Sequence, residues 1–193
     1  MTAYRAIVMG SSAGGYKALA LILPALPAHF PLPVLIVQHL HPSDDGDFAR
    51  HLAELGQLKV IVPCDKQIIN PGCVYFAPAN YHMLVERNET ITLSVEEKVN
   101  WSRPSIDVLF ESAALVWEEA LVAVILSGAN ADGAKGLCAV KAAGGLTVVQ
   151  DPSSAKMAIM PQAAIDTGAV DKVLHVEDIG RFLDELGVRE KAV

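Results

Sequence analysis

Ser12 lies in Gly10-Ser-Ser-Ala-Gly14, a G-x-S-x-G pattern placed directly after a short apolar run. Small residues on either side of such a serine let a sharp strand-to-helix turn carry an exposed hydroxyl. A hydroxyl alone is a poor nucleophile and needs a neighbouring base to accept its proton. His39 follows a second apolar run, Val34-Leu-Ile-Val37 and then Gln38, and Asp132 follows a third through Ser127-Gly-Ala-Asn-Ala131. In a parallel sheet neighbouring strand ends lie about 4.8 Å apart, so residues just past them can meet. Ser12, His39 and Asp132 would then supply the nucleophile, base and orienting carboxylate of acyl transfer.

Each of these residues also has a plainer reading. A glycine-rich turn before a helix can cradle phosphate, or serve only for tight helix packing. The G-x-G-x-x-G fingerprint is absent, however, and Gln38 and His39 stand where a ribose-binding acid is expected. There is no G-x-x-x-x-G-K-[ST] either. Asp132, beside Asn130 and before Gly133, could cap the helix that follows. His39 could be a hydrogen-bonded histidine at a strand end, and His41 a surface residue. Ser11 is the alternative hydroxyl, although the elbow register favours Ser12. The triad reading rests on finding all three residue types on three loops of one sheet edge.

The elements that must position them alternate between apolar runs and helical patterns. Strands are expected over 6–9, 34–37, 58–62, 120–126, 147–150 and 172–174, with 120–126 central. Helices are expected over 16–23, 47–55, 104–117, 134–143, 161–166 and 176–186, with Asp44 or Asp45 starting the second and Gly56 closing it. Residues 74–77, 83–86 and 91–95 read as a strand followed by a hairpin, an antiparallel addition to the main sheet. The fold class is therefore α/β: a Rossmann-like, doubly wound, mainly parallel sheet with helices on both faces.

Composition narrows the function classes. The 193 residues, 52% hydrophobic and 19% charged, are expected to form one domain over 1–193 with a substantial core. The net charge of −7 gives no support for nucleic-acid binding or attraction to an anionic membrane. No apolar run reaches the about 20 residues of a spanning helix, and no signal peptide precedes the first strand, so a cytoplasmic location is expected. Cys64, Cys73 and Cys138 are scattered without C-x-x-C spacing, which implies neither a disulfide framework nor a zinc site.

The order Ser…His…Asp differs from the Ser…Asp/Glu…His of the α/β-hydrolases. It resembles instead the catalytic domain of the chemotaxis protein-glutamate methylesterases, the CheB type. The resemblance is carried by 10–15, Gln38-His39, Pro71-Gly72, 75–78 with His82-Met83, 103–110, 124–128 with Asp132-Gly133, and Met160-Pro161. It implies hydrolysis of glutamate methyl esters, and possible deamidation of glutamines, on the cytoplasmic helices of chemoreceptors. By motif it places Ser12 as nucleophile, His39 as general base and Asp132 as the residue orienting the histidine. No metal or organic cofactor is implied. Candidate oxyanion donors are the backbone N–H groups of Ala13 and of the 128–130 loop, including Ala129. Arg103 and Met160 are candidates to line the cleft.

The chain departs from the family pattern at three points. Ala129 stands where the family has methionine, Ala131 replaces the asparagine before the aspartate, and Ala13 replaces the commoner threonine. The fold begins by Tyr4, so the regulatory receiver domain common in the family is not expected here, and a separate receiver protein is an implied partner. Two alternatives stay open: a serine esterase or amidase acting on another methylated protein or small ester, and a catalytically inert receptor-array binding module.

Overall fold

The computed structural model describes residues 4–190. In chain order its strands are β1 (Ala6–Ser11), β2 (Val34–Gln38), β3 (Lys59–Ile61), β4 (Gln67–Ile68), β5 (Cys73–Phe76), β6 (His82–Val85), β7 (Thr90–Ser94), β8 (Leu121–Ile125), β9 (Leu146–Gln150) and β10 (Lys172–Leu174). The helices are α1 (Gly15–Ile22), α2 (Asp47–Ala53), α3 (Ile106–Trp117), α4 (Ala134–Ala142), α5 (Ile159–Asp166) and α6 (Val176–Glu190).

Seven strands form one sheet in the order β10-β9-β8-β1-β2-β5-β3, every pairing parallel. The middle strand is β1, whose six residues are all buried. Alternation divides them between two cores. Ala6 and Val8 face a cluster with Leu109, Phe110, Leu137 and Val140 from α3 and α4. Ile7 and Met9 face Leu19, Ile22, Ile179 and Leu183 from α1 and α6. A strand with both faces buried must be apolar throughout, which is why this run carries no alternating pattern. Each fully buried leucine or phenylalanine in these layers contributes about 1.5–3 kcal/mol.

The chain leaves β1 through α1 on one face to reach β2, and later reaches β8, on the other side of β1, before α4 covers the opposite face. The sheet therefore has a switch point beside the C-terminal end of β1, the place where open α/β sheets leave a crevice. Ser12 follows β1 at that point.

Three expectations are amended. Residues 73–76 form a parallel strand inside the main sheet, and the hairpin β6–β7 joins β4 in a separate three-stranded antiparallel sheet. That small sheet packs Met83, Val85 and Ile91 onto the α3 side of the core. The strand at 121–125 lies next to the centre, not at it. Helix α2 stops at Ala53, begins after Gly46 in a left-handed conformation, and does not use Gly56 as its cap.

Candidate active site

Parallel pairing of β1 with β2 sets Ser11 opposite Gln38, so Ser12 and His39 leave the sheet side by side. The His39 N–H donates to the Ser11 carbonyl at 3.0 Å. Gln38 fastens both loops: its amide donates to the carbonyls of Ser12 (2.8 Å) and His39 (3.0 Å), and its own oxygen accepts the Ser11 hydroxyl at 2.7 Å. Ser11 is thus buried and committed, which removes it as the alternative nucleophile. The following Gly15 must lack a side chain, because a Cβ there would lie 2.0 Å from the Gln38 oxygen and 2.7 Å from the Ser11 hydroxyl.

The third loop is tied to the first. The Ser12 N–H donates to the Ser127 carbonyl at 2.9 Å, and the Ser127 hydroxyl donates to the Ala13 carbonyl at 2.7 Å. The Ser127 N–H is held in turn by the side chain of Gln150 at 2.9 Å. Gly14, at φ 87°, then turns the chain into α1. Among the described residues no acceptor is bonded to the Ala13 N–H, and no hydrogen bond is made by the Ser12 hydroxyl.

Asp132 meets His39: its Oδ2 accepts from Nε2 at 2.8 Å, with the carboxylate fully buried and the imidazole 12% exposed. This fixes the proton of neutral His39 on Nε2 and leaves the Nδ1 lone pair available. The carboxylate is also gripped by the backbone N–H of Ile106 at 2.7 Å, the Ser105 hydroxyl at 2.8 Å, the Asn100 amide at 3.1 Å and the Asp107 N–H at 3.3 Å. Burial alone would push the Asp132 carboxyl up. The hydrogen bonds from His39, Ile106 and Asn100 outweigh it and hold the group at about 2.

The plainer reading of Asp132, as the cap of the helix following it, does not hold. Gly133 occupies the cap position of α4, with no side-chain bond, while the Asp132 carboxylate takes the first N–H groups of α3. Ser105, at the cap of α3, has given its hydroxyl to Asp132 and none to its own helix. The exchange is reciprocal. Asp107 in the first turn of α3 accepts from the N–H groups of Gly133 (2.9 Å) and Gly136 (2.7 Å) at the start of α4. Each helix N-terminus, with its positive dipole end, is therefore capped by a carboxylate from the other segment. Burial and the nearby Asp132 charge push Asp107 up, so Asp132 keeps its charge and Asp107 is the partner that gains a proton first.

The remaining candidates have plain positions. Met160 is 1% exposed and does not line an open cleft; it packs under Gly128, where a Cβ would lie 2.5 Å from its terminal methyl. Its N–H holds the Gly128 carbonyl at 2.9 Å. Arg103 donates through Nη1 to the carbonyls of Val95 (2.7 Å) and Glu96 (2.9 Å). Ala129 is exposed at the loop tip, beside Asn130, whose side-chain oxygen accepts the Asp132 N–H at 3.1 Å. His82 is a structural histidine, donating from Nε2 to the Glu97 carbonyl and accepting at Nδ1 from the Ser105 N–H.

Sequence reasoning missed Gln38, Asn100, Ser105, Asp107 and Ser127 as parts of this arrangement. The described residues enclose cavities of about 460 Å³ and 350 Å³. Leu40, Val60, Val62 and Phe76 line the first, and Gly14, Lys17, Gln150 and Lys156 line the second; Ser12, His39 and Asp132 line neither. Among the described residues no cluster of three or more His, Cys, Asp or Glu is placed to hold a metal, and no helix is long and apolar enough to cross a membrane.

Residues 7–183 match the CheB methylesterase family. The chain belongs to that family. A Leptospira interrogans relative is 50% identical over 183 residues, which cover 95% of this chain and 95% of its own. A Symbiobacterium thermophilum protein named protein-glutamate methylesterase/protein-glutamine glutaminase is 41% identical over 175 residues, or 91% of this chain and 48% of its own length. The crystal structure of the Thermotoga maritima CheB methylesterase catalytic domain superposes with a TM-score of 0.91 at 34% identity, covering 96% of this chain and all of that one. Membership of the CheB family carries with it the Rossmann-like fold and the chemotaxis setting expected from the sequence.

Proposed function

We propose that the chain is a protein-glutamate methylesterase that also acts as a protein-glutamine glutaminase, working on chemoreceptors in the cytoplasm. The observation that carries the reading is the 2.8 Å bond between His39 Nε2 and a buried, charged Asp132, on the strand end adjoining the Ser12 elbow. Because Nε2 is committed to Asp132, the base toward Ser12 is Nδ1.

In this mechanism Ser12 Oγ attacks the ester carbonyl carbon while its proton passes to His39 Nδ1. The tetrahedral oxyanion forms beside the Ala13 N–H, a donor with no other acceptor among the described residues, and an N–H from the 128–130 loop can approach the same point. Collapse transfers the proton to the leaving oxygen, releases methanol and leaves an acyl-Ser12. Water then gives its proton to Nδ1, attacks the acyl carbon and returns a free glutamate. With glutamine the same steps release ammonia. Asp132 stays ionised throughout and stabilises the imidazolium.

The test is methanol release from a methylated chemoreceptor cytoplasmic fragment, comparing wild type with Ser12→Ala. Wild type should release methanol and Ser12→Ala should lose activity by about 10³-fold or more. Equal release by both proteins would exclude Ser12 as the nucleophile.

A further inference from the structure

Trp101 has no explanation in the isolated fold. Its side chain is 92% exposed, whereas the other tryptophan, Trp117, is buried at 4%. It sits at φ 60°, immediately after Asn100 at φ 50°, in a two-residue turn closed by reciprocal bonds between Val99 and Ser102 (3.2 and 2.9 Å). Both central residues at positive φ is the arrangement of a type I′ turn, which favours Asn followed by Gly. A bulky residue in the glycine position is a strained choice. The strain gains the fold nothing, since the indole packs against almost nothing.

The turn is closed by hydrogen bonds, and it is joined to the candidate site. The Asn100 amide donates to Asp107 Oδ2 at 2.9 Å and to Asp132 Oδ1 at 3.1 Å, and Asp132 Oδ2 holds His39. Behind the turn, Arg103 clamps the carbonyls of Val95 and Glu96, and Val95 is itself 66% exposed. An aromatic ring on a fixed backbone gives a large contact area at low entropic cost, the property that makes tryptophan a frequent interface anchor. At 92% exposure the ring stands out from the surface, so the shape suits a protein surface and not a small molecule.

We propose that Trp101 is a substrate-binding residue that grips the receptor helix carrying the methylated glutamate, next to the ester that His39 and Ser12 process. The proposal rests on the esterase reading above. It adds a residue that distinguishes a protein substrate from a small ester, through a contact made outside the reacting atoms.

Trp101→Gly tests it, because glycine suits the positive φ and preserves the turn. With a methylated, tryptophan-free receptor helix as substrate, KM should rise about tenfold, and the loss in kcat/KM should sit in KM, not kcat. An unchanged KM would overturn the proposal. So would a fall in kcat alone, or an equal loss on a small aryl ester, since either would mean that the turn acts through Asn100 on Asp132. Binding is read separately in the Ser12→Ala protein, where the same helix should shield Trp101 from acrylamide quenching. Unaltered quenching at saturating helix would overturn the proposal. Methanol release by wild type reports on the esterase reading independently of that measurement.

Discussion

The two flanks of His39 are built on opposite plans. On one flank Asp132 is buried, charged and fixed by four hydrogen-bond donors besides the imidazole. On the other flank the Ser12 hydroxyl makes no hydrogen bond among the described residues, and only the backbone of its turn is tied down, by Gln38 and Ser127. The group proposed to orient His39 is over-determined, and the group proposed to attack is left free. A carboxylate that never leaves its place can be rigid, whereas a nucleophile must move from its base toward a carbonyl carbon.

That contrast predicts different costs for changes of similar chemical size. Ser12→Ala and Asp132→Asn should each lower methyl-ester hydrolysis by about 10³–10⁴-fold. Only the second should lower stability, by about 2 kcal/mol at pH 7, read as a fall in denaturation midpoint. If both variants melted like wild type, the contrast would be wrong.

The sign of the pH effect sharpens the same comparison. Asp132 is held at about 2, below its unfolded value, so its contribution is present above about pH 4 and lost as pH falls toward 2. The gap in melting temperature between wild type and Asp132→Asn should therefore close on acidification, and a gap of constant size from pH 7 to pH 3 would argue that the carboxylate charge does not stabilise the fold.

Gly15→Ala strikes the serine flank through its support. The added methyl meets the Gln38 oxygen and the Ser11 hydroxyl, so the elbow must shift, at about 1–3 kcal/mol. Activity should fall with stability here, unlike in Ser12→Ala; a variant with wild-type melting and turnover would show that the elbow yields freely.

The smallest effect is expected for Asp107→Asn. Burial raises Asp107, so the stability it brings is fullest below its unfolded value and declines as pH rises through its folded one. At pH 7 its charge is already disfavoured. Removing that charge should cost less than removing the Asp132 charge, about 1 kcal/mol or under. Chemical denaturation of the two variants side by side would rank them.

The placing of Ser12, His39 and Asp132 on loops at one sheet edge was legible because each follows an apolar run that could only be a buried strand, and parallel strands gather their C-terminal loops. The supporting residues were not legible, because their partners are distant in sequence. Asp107 and Gly133 are bonded across 26 positions, and Asn100 reaches Asp132 across 32. Nothing local in Pro104-Ser-Ile-Asp107 marks it as the cap of another helix, and Asp132 before a helix is ordinarily that helix's own cap. The two-residue strand β4 has no periodicity to read, so the hairpin looked like an extension of the main sheet.

The exchanged caps between α3 and α4 carry a consequence for how the molecule opens. Neither helix can fray at its N-terminus without releasing a carboxylate that holds the other, so the two ends should open as one cooperative unit. In hydrogen exchange, the amides of Ile106, Gly133 and Gly136 would share one protection level. Any fluctuation large enough to expose them would also let go of His39, so under the proposed mechanism inactive open forms and locally unfolded forms would be the same population.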